Sequence, residues 1–165
     1  MRIAVISDIH DHIWNLEKVL QRISQLGVEA LICCGDFCAP FSLKQIAEGF
    51  LGPIHVVFGN NDGDPLLLSR VAGQYGGRVL LHGLYVELEL GGRQIAVIHY
   101  PEPARRIAQA GVFDLVLYGH DHQRHLERIG HTLLANPGEV MGRWGKPSFG
   151  IYDTETGEFT HLELA

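Results

Sequence analysis

Five short apolar runs in this chain end abruptly in aspartate, asparagine or histidine, often just after a glycine. Residues 3–6 lead into Ser7-Asp8-Ile9-His10, 28–34 into Gly35-Asp36, and 54–58 into Gly59-Asn60. Residues 94–98 lead into His99, and 115–118 into Gly119-His120-Asp121-His122. Short apolar runs bounded by polar residues read as buried strands. Open α/β sheets bind ligands beyond the carboxyl ends of their strands. Glycine lets the backbone turn tightly there and bring the next side chain inward. Each polar residue also has an ordinary reading. Asp8 and His10 fit a helix N-cap and a solvated imidazole, Asp36 a turn, Asn60 a left-handed loop residue, and His99 a core histidine. Taken together, Asp8, His10, Asp36, Asn60, His99, His120 and His122 offer more N and O donors than one metal ion needs. The set suits two cations sharing a carboxylate. Manganese, iron and zinc accept such a mixture, and the thiolates of structural zinc are missing from it.

Between these runs the order is strand, helix, strand, helix, strand, helix. Leu16, Val19, Leu20, Ile23 and Leu26 have helical spacing, with Gly27 as a stop. A second helix is expected over 41–50. Asp64-Pro65 starts a third, an N-cap followed by proline at the first helical position. The alternation predicts a parallel sheet built from right-handed crossovers. After Gly76-Gly77 the pattern changes to strands at 78–81 and 85–90, a Gly91-Gly92 hairpin turn, a short helix over 104–110, and further strands to 164. The chain therefore reads as one domain, 1–165, with a parallel front half and an antiparallel back half.

The length of 165 residues suits one sizeable core. No apolar run reaches the roughly 20 residues of a membrane-spanning helix, and the chain enters a strand without a signal-peptide pattern. Cytoplasmic localisation and no membrane partner are the expectation. A net charge of −6 and the lack of a basic face argue against stable nucleic-acid binding. A phosphate substrate is still compatible, because bound cations would dominate the local field. Cys33, Cys34 and Cys38 are odd in number and clustered, which argues against a disulfide framework; they read as small apolar residues in and after a strand.

Asp8-x-His10, Gly35-Asp36, Gly59-Asn60-x-Asp62, His99 and Gly119-His120-x-His122 resemble, in order, the five blocks of the calcineurin-like metallophosphoesterases. Asn61 and the Asn136-Pro137-Gly138-Glu139 stretch resemble the small prokaryotic phosphodiesterase subfamily. The resemblance implies an α/β fold of two mixed β-sheets packed as a sandwich flanked by helices, a four-layer α/β/β/α arrangement. It implies Asp8, His10 and His122 as ligands of one metal, Asn60, His99 and His120 as ligands of a second, and Asp36 as the bridge. Asp36, Asn60, His99 and His120 would form the catalytic set. The implied cofactors are two divalent ions, manganese first, with iron, zinc or nickel as alternatives. The implied reaction is hydrolysis of a small-molecule phosphodiester by a dinuclear metal-activated hydroxide. Some relatives oligomerise, so a homo-oligomer is open.

The chain departs from the wider family at three places. Asn61 stands where many members have a histidine that assists the leaving group. Tyr100 follows His99 where glycine is common, and Asp121 replaces a common threonine. Asn61, His12 and Asp121 are expected just outside the ligands or against substrate. Phosphomonoesterase activity is the close alternative. A non-catalytic metal-binding scaffold for protein partners is the distant one, because a retromer subunit resembles this fold. Retention of all seven ligand positions favours an enzyme.

Overall fold

The computed structural model describes residues 1–164. Eleven strands and four helices alternate as β1 (Arg2–Ile6), α1 (Ile13–Ser24), β2 (Ala30–Cys33), α2 (Pro40–Gly49), β3 (Ile54–Val56), α3 (Pro65–Gly73) and β4 (Val79–Leu81). Then come β5 (Tyr85–Leu90), β6 (Arg93–Ile98), α4 (Pro101–Gln109), β7 (Leu115–Leu117), β8 (Arg124–Ile129), β9 (Thr132–Pro137), β10 (Ser148–Asp153) and β11 (Glu158–Glu163). They build a six-stranded sheet, β11-β10-β1-β2-β3-β4, and a five-stranded sheet, β5-β6-β7-β9-β8.

Alternation along the strands explains the layering. On β1, Ile3 and Val5 face one way and Ala4 and Ile6 the other, and all four are fully buried. Ile3 and Val5 join Ala30 and Ile32 against Ile95, Val97, Leu115 and Leu117 of the second sheet. Ala4 and Ile6 join Leu16, Val19 and Ile23 of α1, Leu43 and Ile46 of α2 and Leu68 of α3. On the far side, Ala96, Val116 and Leu134 pack on Ala104 and Ala108 of α4. The result is the expected four-layer α/β/β/α sandwich of two mixed sheets.

The front half follows the sequence reading, with β1 to β3 parallel, and β4, expected in the antiparallel half, extends this sheet in parallel beside β3. The Asp64 carboxylate caps α3 by accepting from the Leu67 N–H at 3.0 Å. The antiparallel back half is corrected. β6, β7 and β9 are mutually parallel, and β10 returns to the first sheet to pair antiparallel with β1. Tight glycine turns revealed the local hairpins β5–β6, β8–β9 and β10–β11, but a turn carries no information on which distant strand a hairpin joins. The crossover helix α4 also begins at Pro101 rather than near 104. Pro101 and Pro103 sit in its first turn, where backbone N–H groups have no intrahelical partner to lose. Each sheet thus has a parallel centre, and the carboxyl ends of both centres open onto one cleft. Among the described residues, no helix is long and apolar enough to cross a membrane.

Candidate metal centre

The loops after β1 and β2 and the turns after β3 and β7 line this cleft of about 340 Å³, and the fully buried His99, after β6, adjoins it with its Nε2 3.3 Å from Asp36. Asp8, His10 and His122 present ligand atoms within 4.8 Å of one another, and so do Asp36, His99 and His120. Asn60 joins the second group, its Oδ1 lying 2.9 Å from His120 Nδ1. All seven donors expected from the strand ends are therefore brought together. Asp36 Oδ2 lies 3.6 Å from His10 Nε2 and 3.3 Å from His99 Nε2, between the two groups.

The approach is close enough to require glycine. A Cβ at Gly59 would stand 2.1 Å from Asp36 Oδ1, and one at Gly119 would stand 2.0 Å from Ser7 Oγ and 2.8 Å from Asp8 Oδ2. The backbone is bent further by residues that ordinarily avoid positive φ. Asp8 (53°), His10 (45°), Asp36 (53°), His120 (75°) and His122 (62°) all adopt it. Such conformations cost on the order of 1–3 kcal/mol each and persist where the surroundings over-determine them, typically at functional sites.

The protonation pattern points toward cations. His99 Nδ1 donates to the Cys34 carbonyl at 2.7 Å, which fixes Nε2 as the lone-pair nitrogen. That Nε2 is buried and makes no hydrogen bond, although an Asp36 carboxylate oxygen is 3.3 Å away. Two acceptors facing each other in a buried site need a positive charge between them. The first group repeats the theme. His122 Nδ1 donates to Glu139 Oε2 at 2.7 Å, leaving Nε2 free; it lies 3.2 Å from His10 Nε2 and 3.4 Å from the unpartnered, buried Asp8 Oδ1. Without a cation, a proton takes the place. The Asp8 carboxylate, followed by Cys38, raises His10 to about 10. Burial depresses the His99 value, but the Asp36 carboxylate outweighs it and the net shift is upward. Burial likewise pushes Asp36 up, yet the adjoining His99 imidazole and the two hydrogen bonds from Asn61 hold it well below the usual carboxylate range.

Of the three residues expected beside the ligands, Asn61 lines the cleft and grips Asp36 twice, through its N–H to Oδ1 and its Nδ2 to Oδ2, each at 2.8 Å. His12 instead caps α1, its Nδ1 accepting from the Asn15 N–H at 3.3 Å. Asp121 accepts from Asn136 Nδ2 and the Gln123 N–H and makes no hydrogen bond to an imidazole. Four supporting residues had no role in the sequence reading. Glu139, 1% exposed, links His122 to the Trp144 and Gly145 N–H groups. Asp62 accepts from the N–H groups of Asp36, Cys38 and Gly59, tying two ligand loops together. Asn136 Nδ2 also donates to the Gly119 carbonyl, and Cys38 Sγ lies 3.7 Å from His10 Nδ1 rather than serving only as a small apolar filler. Asp62, Asn136 and Glu139 stood inside the recognised motifs, which was the available signal; Cys38 had none. His55 stacks on His82 away from the cleft.

The model of the calcineurin-like phosphoesterase superfamily domain matches residues 1–157. The chain belongs to that superfamily. A phosphodiesterase of Methanocaldococcus jannaschii is 31% identical over 167 residues, which cover 99% of each chain. A solved archaeal phosphodiesterase superposes with a TM-score of 0.92 at 31% identity, covering 99% of this chain and 100% of that one. The Escherichia coli phosphoesterase YfcE gives 0.71 at 20% identity over the full length of both chains. Vps29 of Entamoeba histolytica, solved with zinc, gives 0.69 at 18% identity, covering 99% of this chain and 98% of that one. The last two likenesses concern the fold. As a superfamily member, the chain is expected to hold divalent metals, and the two convergent groups with their unpartnered acceptors fit them.

Proposed function

We propose that this chain is a metal-dependent phosphodiesterase in which Asp8, His10 and His122 hold one divalent ion, Asn60, His99 and His120 hold a second, and Asp36 bridges them. One observation carries the reading: buried, unpartnered acceptors, Asp8 Oδ1 and His99 Nε2, occur in both groups, with one Asp36 oxygen between the groups. The whole chain, 1–165, would act as one domain, since the ligands come from both sheets. Manganese is the first proposed occupant, with iron, zinc or nickel as alternatives, all compatible with imidazole and oxygen donors without thiolate; cytoplasm is the proposed location.

When bound, two such cations acidify a water for attack and offset charge on the phosphoryl oxygens. The chain's own residues prepare for this. Glu139 and the Cys34 carbonyl fix the tautomers of His122 and His99, so that both Nε2 lone pairs face the cleft. Asn61 aims both Asp36 oxygens. An amide cannot donate a proton to a departing alkoxide as imidazolium can, so diesters with a stable leaving group suit this site.

The test is hydrolysis of bis(p-nitrophenyl) phosphate with and without added manganese, against p-nitrophenyl phosphate. The diester should be the better substrate, and a chelator should stop the reaction. Faster monoester turnover would favour a phosphomonoesterase. No turnover of either, in chain shown to bind two ions, would favour a scaffold.

A further inference from the structure

Beyond its backbone N–H, Trp144 has no part in the metal centre, yet it stands at the rim of that cleft and is 68% exposed. Exposure alone does not single it out, since Trp14 is 66% exposed too; its position beside the cleft does. The residue is also held with unusual care for a loop tip. Its N–H donates to Glu139 Oε1 at 2.7 Å, the carboxylate whose other oxygen receives the His122 proton. Its ring meets the His122 ring edge-on, with centroids 4.7 Å apart, and the Arg143 guanidinium lies over it at 4.6 Å. Trp144 is thus in register with a metal ligand.

Trp144 and His122 form the wall shared by two spaces. One is the metal cleft, which Arg143 also lines. The other is an open groove of about 580 Å³, lined further by Gln123, Arg124, Leu126, Lys146 and His161. Arg124 and Lys146 both pair with Glu163, leaving the groove two cations against one anion at that point. A group attached to phosphorus at the metal cleft that extends into the groove would therefore lie beside Trp144 and His122. The groove's size suits one organic arm of a small ligand.

We infer that Trp144 is the stacking platform of a subsite for one ester arm of the substrate, and that this arm is a planar aromatic or nucleobase-like group. This rests on the phosphodiesterase reading and specifies its substrate class. A flat ring laid beside the indole gains stacking that an alkyl arm cannot.

Two substrates with the same leaving group separate the arm from the chemistry. Bis(p-nitrophenyl) phosphate and methyl p-nitrophenyl phosphate both release p-nitrophenolate, but only the first has a second ring. The ratio of their kcat/KM values should fall at least about fivefold in Trp144→Ala, through KM rather than kcat, and Trp144→Phe should recover most of it. An unchanged ratio in Trp144→Ala would overturn the subsite while leaving the phosphodiesterase reading intact. Failure of the wild type to hydrolyse either diester would count against that reading instead. Binding gives an independent readout. In a Trp14→Phe chain, Trp144 is the sole tryptophan. Its emission should change saturably with diphenylphosphinate and not with dimethylphosphinate, neither of which has an ester bond to cleave. Equal responses to the two, or none to the first, would overturn the inference.

Discussion

The two ligand groups are built from the same residue types but supported differently. The Asp8–His10–His122 group is backed by side chains, with Glu139 behind His122 and the Cys38 thiol beside His10. The Asp36–His99–His120 group is backed by the Cys34 carbonyl and by Asn61, and it includes the exposed His120 and Asn60. A carboxylate behind an imidazole raises its basicity more than a neutral carbonyl does. The first group is therefore expected to be the stronger cation site, while the second is the more open to solvent. Asp36 is the point where the two differences meet.

The sharpest break of this comparison is Asp36→Ala, which removes the shared residue. Bound metal should fall below two ions per chain and turnover should fall by at least about 10³-fold, more than a single lost oxyanion donor costs. Two ions retained with normal turnover would rule out the bridge. Next in size is removal of both cations. A ligand at about 100 times its Kd contributes roughly 2.7 kcal/mol, and at this chain length about 2–4 °C accompanies each kcal/mol. With two such ions, a chelator should therefore lower Tm by about 10–20 °C and manganese should restore it; an unchanged melting curve after verified metal removal would contradict both groups.

Glu139→Gln tests the asymmetry directly. Manganese titration by calorimetry should show one affinity weakened by about 10–100-fold and the other kept, the usual effect of losing an outer partner of a metal ligand. Equal weakening of both would erase the distinction. Asn61→Ala loosens Asp36 while leaving the backbone bond in place. A drop of about tenfold in kcat with little change in KM is expected, from a charge-assisted hydrogen bond worth roughly 1.5–3 kcal/mol. A rise in KM alone would assign Asn61 to substrate instead.

The smallest effect lies outside the cleft and separates its titration from that of the fold. Burial, then the neighbouring His82, lowers His55 from 6.5 to about 4. Between these values the unfolded chain binds more protons than the folded one, so stability is present above pH 6.5 and is lost as pH falls toward 4. In chelator, the Tm drop between about pH 7 and pH 5 should shrink by roughly 2–4 °C in His55→Gln, corresponding to ~1 kcal/mol after allowance for partial exposure. An identical drop would place the acid sensitivity at the ligand histidines.

Much of this was legible in the chain itself. Apolar runs stopping at Asp8, Asp36, Asn60, His99 and His120 announce strand ends, because buried strands and their polar exits differ sharply in composition. Their order carried the family resemblance, and with it the sandwich of two mixed sheets. Asp64-Pro65 marked a helix start because capping and proline geometry are local. The parallel pairing of β6, β7 and β9 was not legible, since hydrogen bonding between distant strands leaves no mark on either strand's own pattern.

The sequence by itself determined which atoms are available at the strand ends: seven donors, no thiolate among them, and an amide at Asn61. Only the tertiary structure decided how they are used. It set the tautomers of His99 and His122 through a carbonyl from residue 34 and a carboxylate from residue 139. It turned Asn61 onto Asp36, drew His12 away to cap a helix, and stood Trp144 against His122. The reason is physical: residue type fixes what a side chain can donate or accept, whereas the direction in which it does so depends on partners brought close by the packing of two sheets.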